Sequence, residues 1–233
     1  MPEIYVDQVM ETLDGDGNNV IKKQYNDAVT LCESMGKKIS GLSAVELGKL
    51  GTRRYQLAIV PGKIVIRQES WGFRMSGEVL NPGECRFELS HQGDLTVKIP
   101  GHVVVYDLKE DTLEQEEKGL PEAFGLPFRP VSEEFGEVAP PEVQGTHEEF
   151  MGQQVVKWEY PDGATAVIWA EGQPWGFHIG PSEHTFAAPG SLVLQKTQKK
   201  GNFHLRMTTH SFTVGAPVDF DTFAIPETAA ELP

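Results

Sequence analysis

Cysteine is scarce in this chain: there are two, Cys32 and Cys85, in 233 residues. Cys32 falls on the apolar stripe of a predicted helix, and Cys85 alternates with Phe87 and Leu89 on a predicted strand. Both are read as small buried hydrophobes rather than as a disulfide. A reducing compartment follows from that reading. Long apolar runs are missing too. Nothing approaches the roughly 18 consecutive apolar residues that a membrane-crossing helix needs. The N-terminus, Met1-Pro2-Glu3-Ile4-Tyr5, has no basic stretch followed by an apolar run, so no signal peptide is expected. The expected location is the cytoplasm or an assembled particle.

Positive charge is in short supply. Lys and Arg number 20 against 34 Asp and Glu, a formal net charge of −14. A nucleic-acid partner is disfavoured, because affinity for that backbone comes from Lys and Arg neutralising phosphates. Anionic membrane surfaces are disfavoured for the same reason. The motifs of nucleophilic catalysis are absent as well. There is no Gly-x-Ser-x-Gly, no phosphate-cradling glycine loop and no cysteine in an electropositive setting. No cofactor is expected.

What is present is an ordinary globular composition, 39% hydrophobic and 23% charged, enough to bury a core. Residues 1–52 read as an N-terminal helical segment. Tyr25, Ala28, Val29, Cys32 and Met35 recur at helical spacing, with Gly36 as the stop. Ser43-Ala44-Val45-Glu46 has capping-box form and starts a second short helix through Leu50. Asp14 to Asn19 is a turn. It has part of the look of a calcium loop, but the sixth position is Asn19 and the twelfth is Tyr25, which brings no carboxylate.

From Tyr55 the pattern alternates. Tyr55, Leu57 and Ile59 share a face, Pro61-Gly62 turns, and Ile64 and Ile66 return. Trp71-Gly72-Phe73, a Pro82-Gly83 turn and a strand with Cys85, Phe87 and Leu89 follow. A Gly93-Asp94 turn comes next, then Leu95, Val97 and Ile99, and Val103 to Tyr106. The order returns about a hundred residues later: Val156, Trp158 and Tyr160, a Pro161-Asp162-Gly163 turn, then Ala166, Ile168 and Ala170. Trp175-Gly176-Phe177, Pro189-Gly190, Leu192 and Leu194, Gly201-Asn202, and Phe203, Leu205 and Met207 complete it. The predicted fold class is mainly β (α+β): the helical segment followed by two similar antiparallel β-sandwich or barrel units, 53–108 and 153–216, related by internal duplication. Residues 109–152 form an acidic, proline-rich linker and 217–233 a tail. Residues 107–150 hold thirteen Asp or Glu against three Lys or Arg, a net of −10, and five prolines at 121, 127, 130, 140 and 141. That composition argues against a regular strand after Leu120.

Candidate sites are few. His178 and His184 lie six apart, as do His204 and His210, a spacing of roughly 20 Å along one strand and too far for one ion. Gly180-Pro181 breaks the first strand, which could bring His178, Glu183 and His184 together as an outside metal candidate, but the expectation is surface histidines and no metal. The apolar parity switches between Met207 and Phe212, so His204 and His210 are expected on different faces. Trp169 shares a face with Thr165 and Lys157, and an aromatic on a polar face suits a sugar or a partner. Trp71 and Trp175 follow strands in matching positions, which suggests shared packing and, second, a binding role.

Gly93-Asp94 with Pro100-Gly101-His102 resembles the second motif of cupin barrels over about ten residues. That family's first motif adds two more histidines and a glutamate, and residues 63–89 hold no histidine. The resemblance implies at most a cupin-like barrel, with no site residue carried across.

The leading functional expectation is a non-enzymatic structural or binding protein that self-associates or docks on other protein subunits, in a virion or other particle. The tail from Asp219, with Phe220, Phe223, Ile225 and Leu232, would be its docking arm. A carbohydrate-binding β module and a cupin-like metal-dependent small-molecule enzyme are the alternatives.

Overall fold

The N-terminus corrects the helical reading of residues 1–52. In the computed structural model, which describes residues 1–76, 83–119 and 145–223, Ile4–Leu13 is a strand, β1. Ile4, Val6, Gln8 and Met10 are buried in alternation, and that two-residue period fits a strand and not a helix. Helices α1 (Val20–Ser34) and α2 (Ala44–Lys49) follow, with the short strand β2 (Lys38–Ser40) between them. Asn19 caps α1, its side chain accepting from the Ile21 and Lys22 amides. Ser43 and Glu46 form the capping box of α2. Asp14 holds the preceding turn closed by accepting from the Asp16 and Asn18 amides.

The remaining strands are β3 (Thr52–Val60), β4 (Lys63–Ser76), β5 (Glu84–Ile99), β6 (His102–Asp107) and β7 (Thr112–Lys118). After them come β8 (Thr146–Phe150), β9 (Gln153–Glu159), β10 (Thr165–Trp169), β11 (Val193–Lys200) and β12 (Phe203–Val214). All join one sheet in the order β7-β6-β5-β4-β3-β1-β12-β11-β10-β9-β8, with β2 pairing parallel to β5 at Glu84–Arg86. The protein is thus mainly antiparallel β, and the regions read as separate units are two arms of one sheet joined through β1. They also share a core: Ile4, Val6, Leu57 and Ile64 pack in one buried cluster with Val155, Val167, Trp169 and Leu194.

The expected hairpins form. Pro61-Gly62 and Gly201-Asn202 are two-residue loops between paired strand ends, and Pro161-Asp162-Gly163 turns between β9 and β10; Pro100-Gly101, not read as a turn, is a further two-residue loop. Gly93-Asp94 is not a turn, however. β5 runs straight through it, pairing Gly93 with Glu69 and Asp94 with Gln68. The glycine serves close approach instead, because a Cβ there would stand 2.7 Å from the Gln68 carbonyl.

The duplication loses two of its markers in consequence. Gly93-Asp94 has no structural match to the Gly201-Asn202 turn. Trp71-Gly72-Phe73 lies inside β4, whereas Trp175 ends a 3-10 turn and Gly176 takes a φ of +86°. The matching packing role inferred for the two tryptophans does not hold.

The acidic crossover is not wholly strand-free. Residues 112–118 and 146–150, both inside the region read as linker or crossover, are the outermost strands β7 and β8. Pairing to a neighbour's backbone does not depend on apolar side chains, so composition alone hid them. The five prolines of that region lie outside the described residues, as do Pro82, Ile225 and Leu232.

Cys32 and Cys85 form a disulfide, which overturns the reading of two free thiols and removes the argument for a reducing compartment. Both side chains are buried, as expected of hydrophobes, but in one cluster with Tyr25, Leu42, Leu50 and Phe87 that mounts the helices on the sheet. Two of the four apolar residues of the tail are engaged within the chain. Phe220 and Phe223 fold back onto their own sheet, Phe223 fully buried and edge-on to Tyr5 at 5.8 Å.

Candidate functional site

The residues singled out by sequence are dispersed. Trp169 is 2% exposed, enclosed by Phe177 and Phe212, so its polar-face parity hides a core side chain. Trp71 is stacked on His91 at 5.6 Å with the Lys49 ammonium 5.5 Å from its ring centre. Trp175 is 37% exposed on its 3-10 turn. The three do not converge.

The candidate metal cluster meets a different cation. Among the described residues, no group of three or more His, Cys, Asp or Glu is placed to hold a metal. His178, Glu183 and His184 are exposed. The backbone beside them is occupied by Lys196, a buried lysine from β11. Its Nζ donates to the carbonyls of Ser182, Glu183 and His184 at 3.2, 2.9 and 2.8 Å. Burial pulls this ammonium below the usual lysine range, against the opposing charge of Glu183. Three carbonyls replace the water it gives up. His102, the residue of the cupin-like motif, meets Glu116 at 2.9 Å instead. His210 falls at a register shift between β1 and β12, consistent with the parity switch read from the sequence.

A cleft lies where no motif pointed. On β3, Arg53 has the same parity as the core residues Tyr55, Leu57 and Ile59, and so lies on the same face beyond the end of the apolar row. Across the sheet Arg53 pairs with Ser70 on β4, and Ser70 with Gln92 on β5. The next row is Tyr55, Gln68 and Asp94. Two cavities of about 360 and 210 Å³ open here, and Arg53, Ser70 and Gln92 line both. The larger extends past Met10 and Thr12 towards Val20 and Ile21 at the start of α1. The smaller is closed by Gln68, Asp94 and Phe186. Phe186 comes from the long connection between β10 and β11 and stacks on Tyr55 at 4.8 Å.

Charge in the cleft is unevenly satisfied. Arg54 and Glu69 also border the smaller cavity, yet both are engaged elsewhere. Arg54 makes a bidentate pair with Asp7 at 3.0 and 2.7 Å. Glu69 takes Arg67 at 3.0 and 3.1 Å and His91 at 3.0 Å. Although burial opposes it, Arg67 and then His91 hold the Glu69 carboxyl below its ordinary range. Arg53 and Asp94 differ, since neither has an ion-pair partner among the described residues. Burial, then the nearby charges of Glu114 and Asp107, pushes the Asp94 carboxyl up. The Tyr55 hydroxyl is pushed well up by burial and by Asp94.

Sequence reading missed this site because its residues are isolated polar positions on three separate strands. The available signal was parity: Arg53 continues the Tyr55, Leu57, Ile59 face at a place where a hydrophobe would be expected. No protein-family model matches the chain, and no curated protein matches it in sequence.

Proposed function

We propose that this is a non-enzymatic binding protein whose ligand sits in the cleft on β3, β4 and β5. The observation that carries the reading is Arg53, a guanidinium without an ion-pair partner among the described residues, shared by two adjoining cavities and flanked by Ser70 and Gln92. A guanidinium offers a planar fork of donors suited to a carboxylate or phosphate, and hydroxyls and amides beside it fix orientation. The carbohydrate alternative passes from the tryptophans to this cleft, where polar side chains outnumber aromatic ones. Titration calorimetry with phosphate, glucuronate, galactose and a dipeptide tests the reading. At least one probe binds saturably, and Arg53→Gln weakens it tenfold or more. Failure of every probe, or binding indifferent to Arg53, removes the cleft as the ligand site.

Docking on other protein subunits is a second reading, and it is supported at one place. Leu31 and Met35, one turn apart on α1, are 59% and 48% exposed, and Met75 nearby is 44% exposed. The sheet ends are poorer candidates for self-association. β7 carries Glu114, Glu116, Glu117 and Lys118 with a register shift, and β8 is five residues long with Glu148 and Glu149. Charge, irregularity and shortness are the means by which strand edges avoid pairing with one another. Light-scattering mass of the wild type and of a Leu31→Glu, Met35→Glu variant decides this reading. A monomer at all concentrations in both counts against self-association.

A further inference from the structure

We propose that the smaller cavity binds a dipeptide-sized zwitterion, its carboxylate on Arg53 and its ammonium on Asp94. This rests on the reading of the cleft as the ligand site and names the chemistry of the ligand.

Arg53 and Asp94 border one cavity. Of the four charged residues that border it, Arg54 is committed to Asp7, and Glu69 to Arg67 and His91. What remains is one cation and one anion on the same face, without ion-pair partners among the described residues. Arg53 is exposed and Asp94 half-buried, and a ligand of one sign would satisfy one of them and leave the other unanswered. A ligand carrying both signs satisfies both.

The spacing suits a short chain. Arg53 and Asp94 stand two strands and two residues apart in register, about 12 Å between Cα atoms from ordinary strand spacing. Arg53, which borders both cavities, has a side chain long enough to bridge part of that gap. Two extended residues span at most about 7 Å. Between the charges lie Ser70, Gln68 and Gln92, donors and acceptors that match a peptide group. Phe186, stacked on Tyr55, adds an aromatic wall on which an apolar side chain can lie. The glycine at position 93 lets β5 approach β4 closely beside Asp94.

Desolvation beside Asp107 and Glu114 makes Asp94 a carboxylate that gains from an incoming cation. It would be a poor partner for a purely anionic ligand, which separates this inference from a simple acid-binding site.

Titration calorimetry with alanyl-phenylalanine, its C-terminal amide and its N-acetyl form tests the proposal. The free dipeptide is expected to bind saturably, and each blocked form at least tenfold more weakly. Arg53→Gln should bind the free dipeptide no better than the wild type binds the amide, and should cease to distinguish the two. Asp94→Asn should behave likewise towards acetylation. Circular dichroism and melting temperature of both variants establish that they fold. Equal binding of the acetylated and free forms overturns the zwitterion proposal and leaves an acid-binding cleft. Failure of the dipeptide where phosphate or glucuronate binds through Arg53 does the same. Failure of every probe overturns the cleft reading itself.

Discussion

The two arms of the sheet are alike in strand order and unlike in what covers them. From the central β1, one arm runs outward through β3, β4, β5, β6 and β7, and the other through β12, β11, β10, β9 and β8. Helices and a covalent link cover the first: α1 and α2 pack on Cys85 and Phe87, and Cys32–Cys85 ties helix to strand. The second is covered by the connection between β10 and β11, which has almost no regular structure. Hydrogen bonds from side chains hold that connection. Trp158 Nε1 donates to the Ile179 carbonyl at 2.8 Å, the Ser182 amide donates to the Tyr160 hydroxyl at 3.1 Å, and Lys196 takes three carbonyls. Buried Gln8 reaches over from β1, accepting from the Ala187 amide at 2.9 Å. A helix satisfies its own backbone; an irregular segment must find a partner for each polar group it buries. One cover is therefore mounted through apolar contacts and a crosslink, the other through individually replaceable polar contacts. The cleft draws on both arms, its polar floor from the first and its Phe186 wall from the second.

The largest effect should come from breaking the crosslink. Cys32→Ser with Cys85→Ser opens a loop with a sequence separation of 53, worth about 4 kcal/mol in the chain-entropy view. Urea unfolding should show that loss, and hydrogen-exchange protection should fall most in α1 and β2, where local opening adds to the global loss, and less in β9 to β12. Equal loss of protection in both arms would break the comparison. Next in size is Lys196→Met, which leaves three carbonyls of a packed segment without their donor, at a cost of about 2–3 kcal/mol. Here protection should fall in residues 177–190 and α1 should be untouched. Because Phe186 lies on the same connection, ligand affinity at the cleft should fall too. Unchanged exchange in 177–190 would mean that the lysine does not hold the segment.

Legibility in the sequence followed the same division. Turns with Gly at the required position, such as Pro61-Gly62 and Gly201-Asn202, were readable because few residues accept those backbone angles. The Gly36 stop after α1 and the capping box of α2 were readable for local reasons too, whereas the Asn19 cap of α1 was read only as part of a turn. Strand β1 was not, since Gln8 interrupts its buried apolar row while Tyr5 and Val9 put apolar residues on the other face, and Gln8 is buried to serve the β10–β11 connection rather than the core. The disulfide was hidden because its two halves looked complete as hydrophobes, and their meeting depends on how α1 crosses the sheet. Lys196 reads in sequence as one more surface lysine. The cleft was illegible for a different reason. Arg53, Ser70, Gln92 and Asp94 become neighbours only through register, which alternation along a single strand does not reveal.

The smallest predicted effect has the most diagnostic sign. Asp94 and Glu69 lie on neighbouring strands, one row apart, and on opposite faces. Glu69 is ion-paired and its carboxyl is held low, so it contributes stability at neutral pH that is lost as pH falls through its folded value. Asp94 is the reverse. Its folded pKa lies above the ordinary aspartate value, so between the two the native state binds more protons than the unfolded chain. Stability must then fall as pH rises from about 4 through that window. Asp94→Asn should accordingly stabilise the protein at pH 7, by less than about 1 kcal/mol given its partial exposure, with the gain vanishing below about pH 4. Glu69→Gln should destabilise it at pH 7, with the loss shrinking on acidification. Thermal melts of both variants from pH 3.5 to 8 separate the cases. A destabilising Asp94→Asn at neutral pH would mean that this carboxylate already has its cation within the fold. A stabilising one identifies a charge kept at a cost to the native state, which is what a residue held for an incoming ligand requires.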